Sequence, residues 1–253
     1  MCLSKFSELI KIVARVRSEC PWDKEQTHDS IKAATLEEAY EVVEAIDDAD
    51  MNELKSELGD LLLHIVFHSV IAEENKNFTI DEVITSIEEK LIRRHPHVFG
   101  DVKVNGNKDI TRNWETIKLQ EGRNSVLEGV PKNLPELHKS FRMQEKVSKV
   151  GFDWEKREDV WDKVQEEICE LQKAEAEGNQ KELEDEMGDL IFSIVNYSRF
   201  IGINPENALR RTNEKFVKRF RFIEKKIGEL NKSITDSNLE EMDKFWEESK
   251  NLE

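Results

Sequence analysis

Shifting the sequence by 129 residues lays one half of the chain on the other, and this duplication limits the possible folds more than any other feature. Under the shift Glu37, Glu38 and Glu41 fall on Glu166, Glu167 and Glu170, Ala45 on Ala174, and Glu53-Leu54 on Glu182-Leu183. Glu57 falls on Glu186, Gly59-Asp60-Leu61 on Gly188-Asp189-Leu190, and Ile65-Val66 on Ile194-Val195. After a four-residue deletion the match resumes at a shift of 125, pairing Glu89-Lys90 with Glu214-Lys215 and Arg94 with Arg219. Chance does not keep acidic positions through so long a register, so the halves are homologous.

Gly122, Gly129, Pro131 and Pro135 punctuate a polar stretch between the halves. They predict two domains, 1–125 and 126–253. Glu, Lys, Leu and Ile dominate, with 36% charged residues, 38% hydrophobic residues, 10 Gly and 5 Pro. That mixture favours helices with solvated outer faces and still supplies a core. Each half reads as about four helices, over 4–18, 29–48, 52–74 and 79–95, then 136–148, 158–177, 181–201 and 205–230. The expected fold is all-α, two tandem helical bundles, with a closing helix over 239–250. Val98 to Asn107 carries weak hairpin character through Val102, Val104 and Asn105-Gly106.

A formal net charge of −16 repels phosphate backbones, which argues against nucleic acid as a partner. A small polyanion can still be held where metal ions neutralise local carboxylates. Cys2, Cys20 and Cys169 are odd in number, without CxxC or Cys/His clustering. This speaks against a disulfide scaffold or a zinc site and fits a reducing compartment. Met1-Cys2-Leu3-Ser4-Lys5-Phe6 has no signal-peptide core, and the apolar stretch Leu61 to Ala72 is too short to span a bilayer. A cytoplasmic chain with no membrane partner is expected.

A helical wheel places the acids. In the second helix, Leu36, Ala39, Tyr40, Val43 and Ile46 form the apolar face; Glu38 and Glu41 sit at its margin, and Glu37 and Glu44 point to solvent. In the third, Leu58, Leu61, Leu62, Leu63, Ile65, Val66, Phe67 and Val70 surround most of the circumference, which predicts a buried helix. Glu57, Asp60, His64 and His68 make its one polar stripe, repeated as Glu186, Asp189, Ser193 and Tyr197. An isolated Glu-Glu-x-x-Glu or Glu-x-x-Asp is commonplace on a solvated helix. Here both recur, in the same order, 16 residues apart, twice. Two antiparallel helices would bring four acids together, and such a cluster calls for cations.

All-oxygen ligands suit Mg²⁺, with Mn²⁺ as the alternative. A di-iron bundle would need Glu-x-x-His, whereas Asp60 and Asp189 stand at those positions. His64 and His68 have i, i+4 spacing, but Ser193 and Tyr197 replace them in the second half. They read as packing or hydrogen-bonding residues.

Glu-Glu-x-x-Glu followed after 15 residues by Glu-x-x-Asp resembles the MazG family of all-α nucleotide pyrophosphohydrolases. Cys20-Pro21-Trp22-Asp23, Arg93-Arg94-His95-Pro96-His97-Val98-Phe99-Gly100 and Val150-Gly151-Phe152-Asp153-Trp154 also look like its signatures. The resemblance covers essentially the whole chain, in a tandem-domain form. It implies hydrolysis of nucleoside triphosphates to monophosphate and pyrophosphate, with nucleotide-pool house-cleaning as the expected role. It also implies Mg²⁺ held by Glu167, Glu170, Glu186 and Asp189, and in the first half by Glu38, Glu41, Glu57 and Asp60. Lys215 and Arg219, matched by Lys90 and Arg94, would face the phosphates, and Trp246 the nucleotide. Lys163, one turn before Glu167, has Ala34 as its counterpart and joins the expected substrate-binding set, which favours the second half as the catalytic unit. Glu166 and Glu182 are the candidate general bases. MazG-like units resemble half-bundles that pair between subunits, so a homodimer is expected. The rival readings are a catalytically silent nucleotide-binding regulator and a narrower pyrophosphatase for dUTP, dCTP or phosphoribosyl-ATP.

Overall fold

The computed structural model describes residues 2–104, 106, 109–110, 113–114, 117, 121–122 and 125–251. Among these, helices account for all regular structure and no strand occurs. The chain divides into two compact units, Met1–Lys103 and Val104–Glu253, earlier than the punctuation at 120–135.

Unit 1 contains α1 (Cys2–Glu19), α2 (Pro21–Glu25), α3 (His28–Asp47), α4 (Met51–Glu74), α5 (Ile80–Arg94) and α6 (Pro96–Phe99). Short polar side chains set the starts. Thr27 and Ser30 form a reciprocal capping box on α3, as do Thr79 and Glu82 on α5. Asp50 caps α4 by accepting from the backbone N–H groups of Asn52 and Glu53 at 2.9 and 3.1 Å. Ala49, in a left-handed conformation at φ 55°, turns the chain from α3 back along α4. The core joins α1, α3 and α4 through Val13, Ile31, Val66, Phe67 and Ile71. Arg17 of α1 pairs with Glu74 at 2.9 Å and donates to the carbonyl of Gln26, so one guanidinium ties α1, the α2 exit and the end of α4.

Unit 2 contains α7 (Glu136–Ser148), α8 (Arg157–Glu177), α9 (Gln180–Phe200), α10 (Pro205–Glu229), a 3₁₀ turn (Ile234–Asp236) and α11 (Leu239–Lys250). Gly178 at φ 72° and the Asn179 cap repeat the turn made by Ala49 and Asp50 in unit 1. The best-packed helix pair is α8 with α9; α7 lies on α9 and α10, and α11 on α10. Val160, Val164, Ala174, Val195, Ile223 and Ile227 are buried. The buried Lys146 donates to the carbonyls of Val126 and Glu128 at 2.9 Å, fixing that segment against α7.

Three expectations need correction. The third helix of each half is buried on one side only. Val66 and Val195 are 0% and 1% exposed, but Leu58, Leu62, Leu63 and Ile65 are exposed, as are Ile191, Phe192 and Ile194. On α3, Leu36, Tyr40 and Ile46 are exposed as well. Each hairpin finds partners for one flank, and its apolar circumference exceeds what one chain covers. The hairpin expected at 98–107 is absent among the described residues: Val98 and Phe99 belong to α6, while Asn105 and Asn107 lie outside that set. Two short helices were missed, α2 and α6, each opened by a proline whose fixed φ suits a first helical position.

Candidate metal and nucleotide site

In unit 2 the hairpin geometry brings the acidic motifs of α8 and α9 together. Carboxylate oxygens of Glu167, Glu186 and Asp189 converge within 4.8 Å of one another. Glu170 stands near enough to Glu186 to act on its charge but lies outside that triad. Glu167 is buried, 6% exposed, and Lys163 one turn earlier reaches it at 2.8 Å and Glu166 at 2.9 Å. Both carboxylates hold the ammonium charged, raising the Lys163 pKa above the usual lysine range. Burial, then the charges of Glu170 and Asp189, push the Glu186 carboxyl upward.

Unit 1 gathers a related but different triad, Glu38, Glu41 and Glu57, again within 4.8 Å. Here it is Asp60 that stays outside. Glu57 is 8% exposed, and burial, then Glu41, Glu53 and Asp60, push its carboxyl up to about 6. Glu38 is raised by burial, then by Glu41 and Asp60, while His64 acts in the opposite direction. Among the described residues no Lys or Arg pairs with Glu41, Glu57 or Asp60. Three carboxylate oxygens so close, without a Lys or Arg on Glu41 or Glu57, fit a hard divalent cation as the missing partner.

Glu167 and Asp189 line a cavity of about 620 Å³, inside the range of roughly 300–1,000 Å³ usual for small-molecule sites. Met143, Val147, Phe152, Trp154 and Phe192 give it apolar walls; Lys163, Glu167 and Asp189 line one part. The arrangement suits a flat apolar body with an anionic tail directed at a metal.

Residues 26–99 and 156–222 match the family described as MazG nucleotide pyrophosphohydrolase domain. This chain belongs to the MazG family. Each matched MazG region contains one acid triad. A Thermotoga maritima relative, named nucleoside triphosphate pyrophosphohydrolase/pyrophosphatase MazG, is 45% identical over 250 residues, covering 97% of this chain and 95% of that protein. An Escherichia coli K12 relative, named nucleoside triphosphate pyrophosphohydrolase, is 40% identical over 260 aligned positions and 99% of both chains. The Bacillus subtilis protein YabN, described as uncharacterised, is 46% identical over 98% of this chain and 52% of its own length.

Other expected MazG site residues fall elsewhere. Arg219 of α10 lies 5.4 Å from the Trp246 ring centroid, and Phe216 stacks obliquely on the same indole. Lys215 is exposed on α10. This α10–α11 group does not line the cavity, so the structure gathers Lys163 with the acids and Arg219 with Trp246 as two separate clusters. Lys90 lines a groove of about 400 Å³ with Phe78 and Ile87, and Arg94 ends α5. Glu182 sits in the first turn of α9, accepting from the Asn179 side chain at 3.1 Å.

Sequence reasoning assigned no role to several other residues that line the cavity. Arg199 pairs with Asp153 and also donates to Asn196 Oδ1, and all three line the cavity beside Gln144. The signal was present in Val150-Gly151-Phe152-Asp153-Trp154, but nothing local announces that Asp153 meets a helix 46 residues away.

Proposed function

We propose that this chain hydrolyses nucleoside triphosphates to nucleoside monophosphate and pyrophosphate, in the cytoplasm, as a Mg²⁺-dependent homodimer whose working site is in unit 2. The observation that supports this most directly is the triad of Glu167, Glu186 and Asp189, of which Glu167 and Asp189 line the apolar-walled cavity with Lys163. The names of the Thermotoga and Escherichia coli relatives agree with it.

The apolar walls receive the base, and the carboxylates, with Glu170 at their edge, hold the cation. A bound Mg²⁺ supplies neutralisation of the phosphate oxygens and lowers the pKa of a coordinated water. Lys163, kept charged by Glu166 and Glu167, stands within one turn of the acids and stabilises negative charge on the chain of phosphates. Glu166 is exposed and holds only Lys163, which leaves a carboxylate oxygen to take the proton from water. Glu182, committed to the α9 cap, is the weaker candidate base. Lys215, Arg219 and Trp246 reach the nucleotide by a movement of α10 and α11 or across a dimer. The exposed apolar flanks of α3, α4 and α9 support that dimer.

Product analysis with a panel of NTPs and dNTPs plus Mg²⁺ tests the reading, comparing wild type with Glu170→Ala, Glu41→Ala and the double variant. Monophosphate and pyrophosphate, lost only where Glu170 is replaced, are the expected result. Loss through Glu41→Ala alone would move the chemistry to unit 1. No pyrophosphate from any nucleotide would leave a nucleotide-binding protein without turnover.

A further inference from the structure

Two side-chain amides stand in the wall of the unit 2 cavity, and their neighbours fix which way each is turned. Gln144 of α7 is 6% exposed, and its Nε2 donates to the Phe192 carbonyl of α9 at 2.9 Å. A carbonyl only accepts, so Nε2 must face it and Oε1 must face away. That oxygen is buried and accepts no hydrogen bond. An acceptor shut away from water with no donor is costly, and native chains keep few of them.

Asn196 is fixed in the opposite sense. Arg199 Nε and Nη2 reach its Oδ1 at 3.1 and 2.9 Å, and a guanidinium only donates. Asp153 holds the same guanidinium from the other side at 3.0 Å. With Oδ1 committed, Asn196 has its Nδ2 donor left to offer. Asp189, Asn196 and Gln144 all line the cavity. Asp189 and Asn196 are seven residues apart on α9, roughly 10 Å along its axis. That spacing separates the acids from the amides as the phosphates of a nucleotide are separated from its base.

We propose that Gln144 and Asn196 read the nucleobase, Gln144 Oε1 accepting from a base N–H and Asn196 Nδ2 donating to the acceptor beside it. This rests on the reading that unit 2 hydrolyses nucleoside triphosphates. Adenine, guanine, cytosine and uracil each carry an N–H next to a ring nitrogen or carbonyl. The pair therefore admits all four and discriminates against flat rings without that edge, which apolar walls alone would accept. A site built to bond an N–H rejects an analogue lacking it, because its own polar atom is then left bare. Under the 129-residue register unit 1 has Phe67 for Asn196 and Val70 for Arg199, with Phe67 in its core, so the amide wall belongs to unit 2.

The test compares ATP with purine riboside triphosphate, which keeps the ring nitrogens and lacks the amino group, in kcat/KM and in calorimetric affinity. Wild type is expected to favour ATP by about 10–100-fold. Gln144→Met should remove that preference by lowering the value for ATP alone. Asn196→Asp, which keeps the oxygen that Arg199 holds and removes only the donor, should lower both nucleotides. Equal use of the two by wild type overturns the proposal while the pyrophosphohydrolase reading stands, and needs no variant to fold. A preference that survives in folded Gln144→Met overturns it as well, since another group then reads the base. If neither nucleotide yields pyrophosphate, the pyrophosphohydrolase reading fails. Affinity then decides between an amide-read base, shown by tighter ATP, and an unread one, shown by equal binding.

Discussion

Glu57 is a carboxylate held where water reaches 8% of its surface, among Glu41, Glu53 and Asp60. Its folded pKa of about 6 lies above the ordinary 4.5, so between those values the native chain binds more protons than the unfolded one. The stability tied to this proton is fully present below about 4.5 and is lost as pH rises through about 6. In EDTA, Glu57→Gln should therefore raise the melting temperature at pH 7.5, with the gain vanishing near pH 4.5. Calorimetry at the two pH values checks it, and destabilisation at pH 7.5 would mean that the carboxylate has a cationic partner. The acids themselves were legible in the sequence because duplication marked them. Which three converge was not: Asp60 stays outside the unit 1 triad although its counterpart Asp189 joins that of unit 2, and Glu170 stays outside although Glu41 joins.

At the scale of elements, the turn between the two motif helices occurs twice with different residues. Gly178 holds φ 72° in unit 2, and Ala49 holds φ 55° in unit 1. A left-handed L-residue costs about 1–2 kcal/mol, while exchanging Ala for Gly costs roughly 0.4–1 kcal/mol in unfolded-chain entropy. The conformational penalty wins. Ala49→Gly should stabilise the chain by up to about 1 kcal/mol, and Gly178→Ala, whose added Cβ meets no atom within 4 Å, should destabilise it by a similar amount. Chemical denaturation measures both. Asp50→Ala removes two backbone hydrogen bonds at the start of α4 and should cost about 0.5–2 kcal/mol in the same assay. Ile227→Ala, at a side chain 0% exposed on α10, should cost about 2–5 kcal/mol. Helix limits were readable to within a residue or two because caps and prolines act locally. The short α2 and α6 escaped because neither is long enough to show a period.

For the whole molecule, the exposed apolar flanks matter most. Leu36, Tyr40 and Ile46 of α3 and Leu58 and Ile65 of α4 remain open in the chain by itself. Exposed apolar side chains on the two helices of one hairpin are what the proposed dimer would cover. Leu36→Lys should convert a homodimer to monomer at micromolar concentration while retaining helical circular dichroism. Light scattering gives the mass, and a monomeric wild type would end the dimer reading.

The sequence by itself determined the helices, their duplication and the acids that are candidates for clustering, because periodicity, capping and repeat register are properties of neighbours along the chain. Tertiary structure decided which acids meet, that Lys163 rather than Lys215 borders the cavity, and that Thr35 joins His64 to His68. It also decided that the motif helices are covered on one flank only. Each of these depends on how far one helix is rotated against another, and the 3.6-residue repeat of either helix leaves that rotation open.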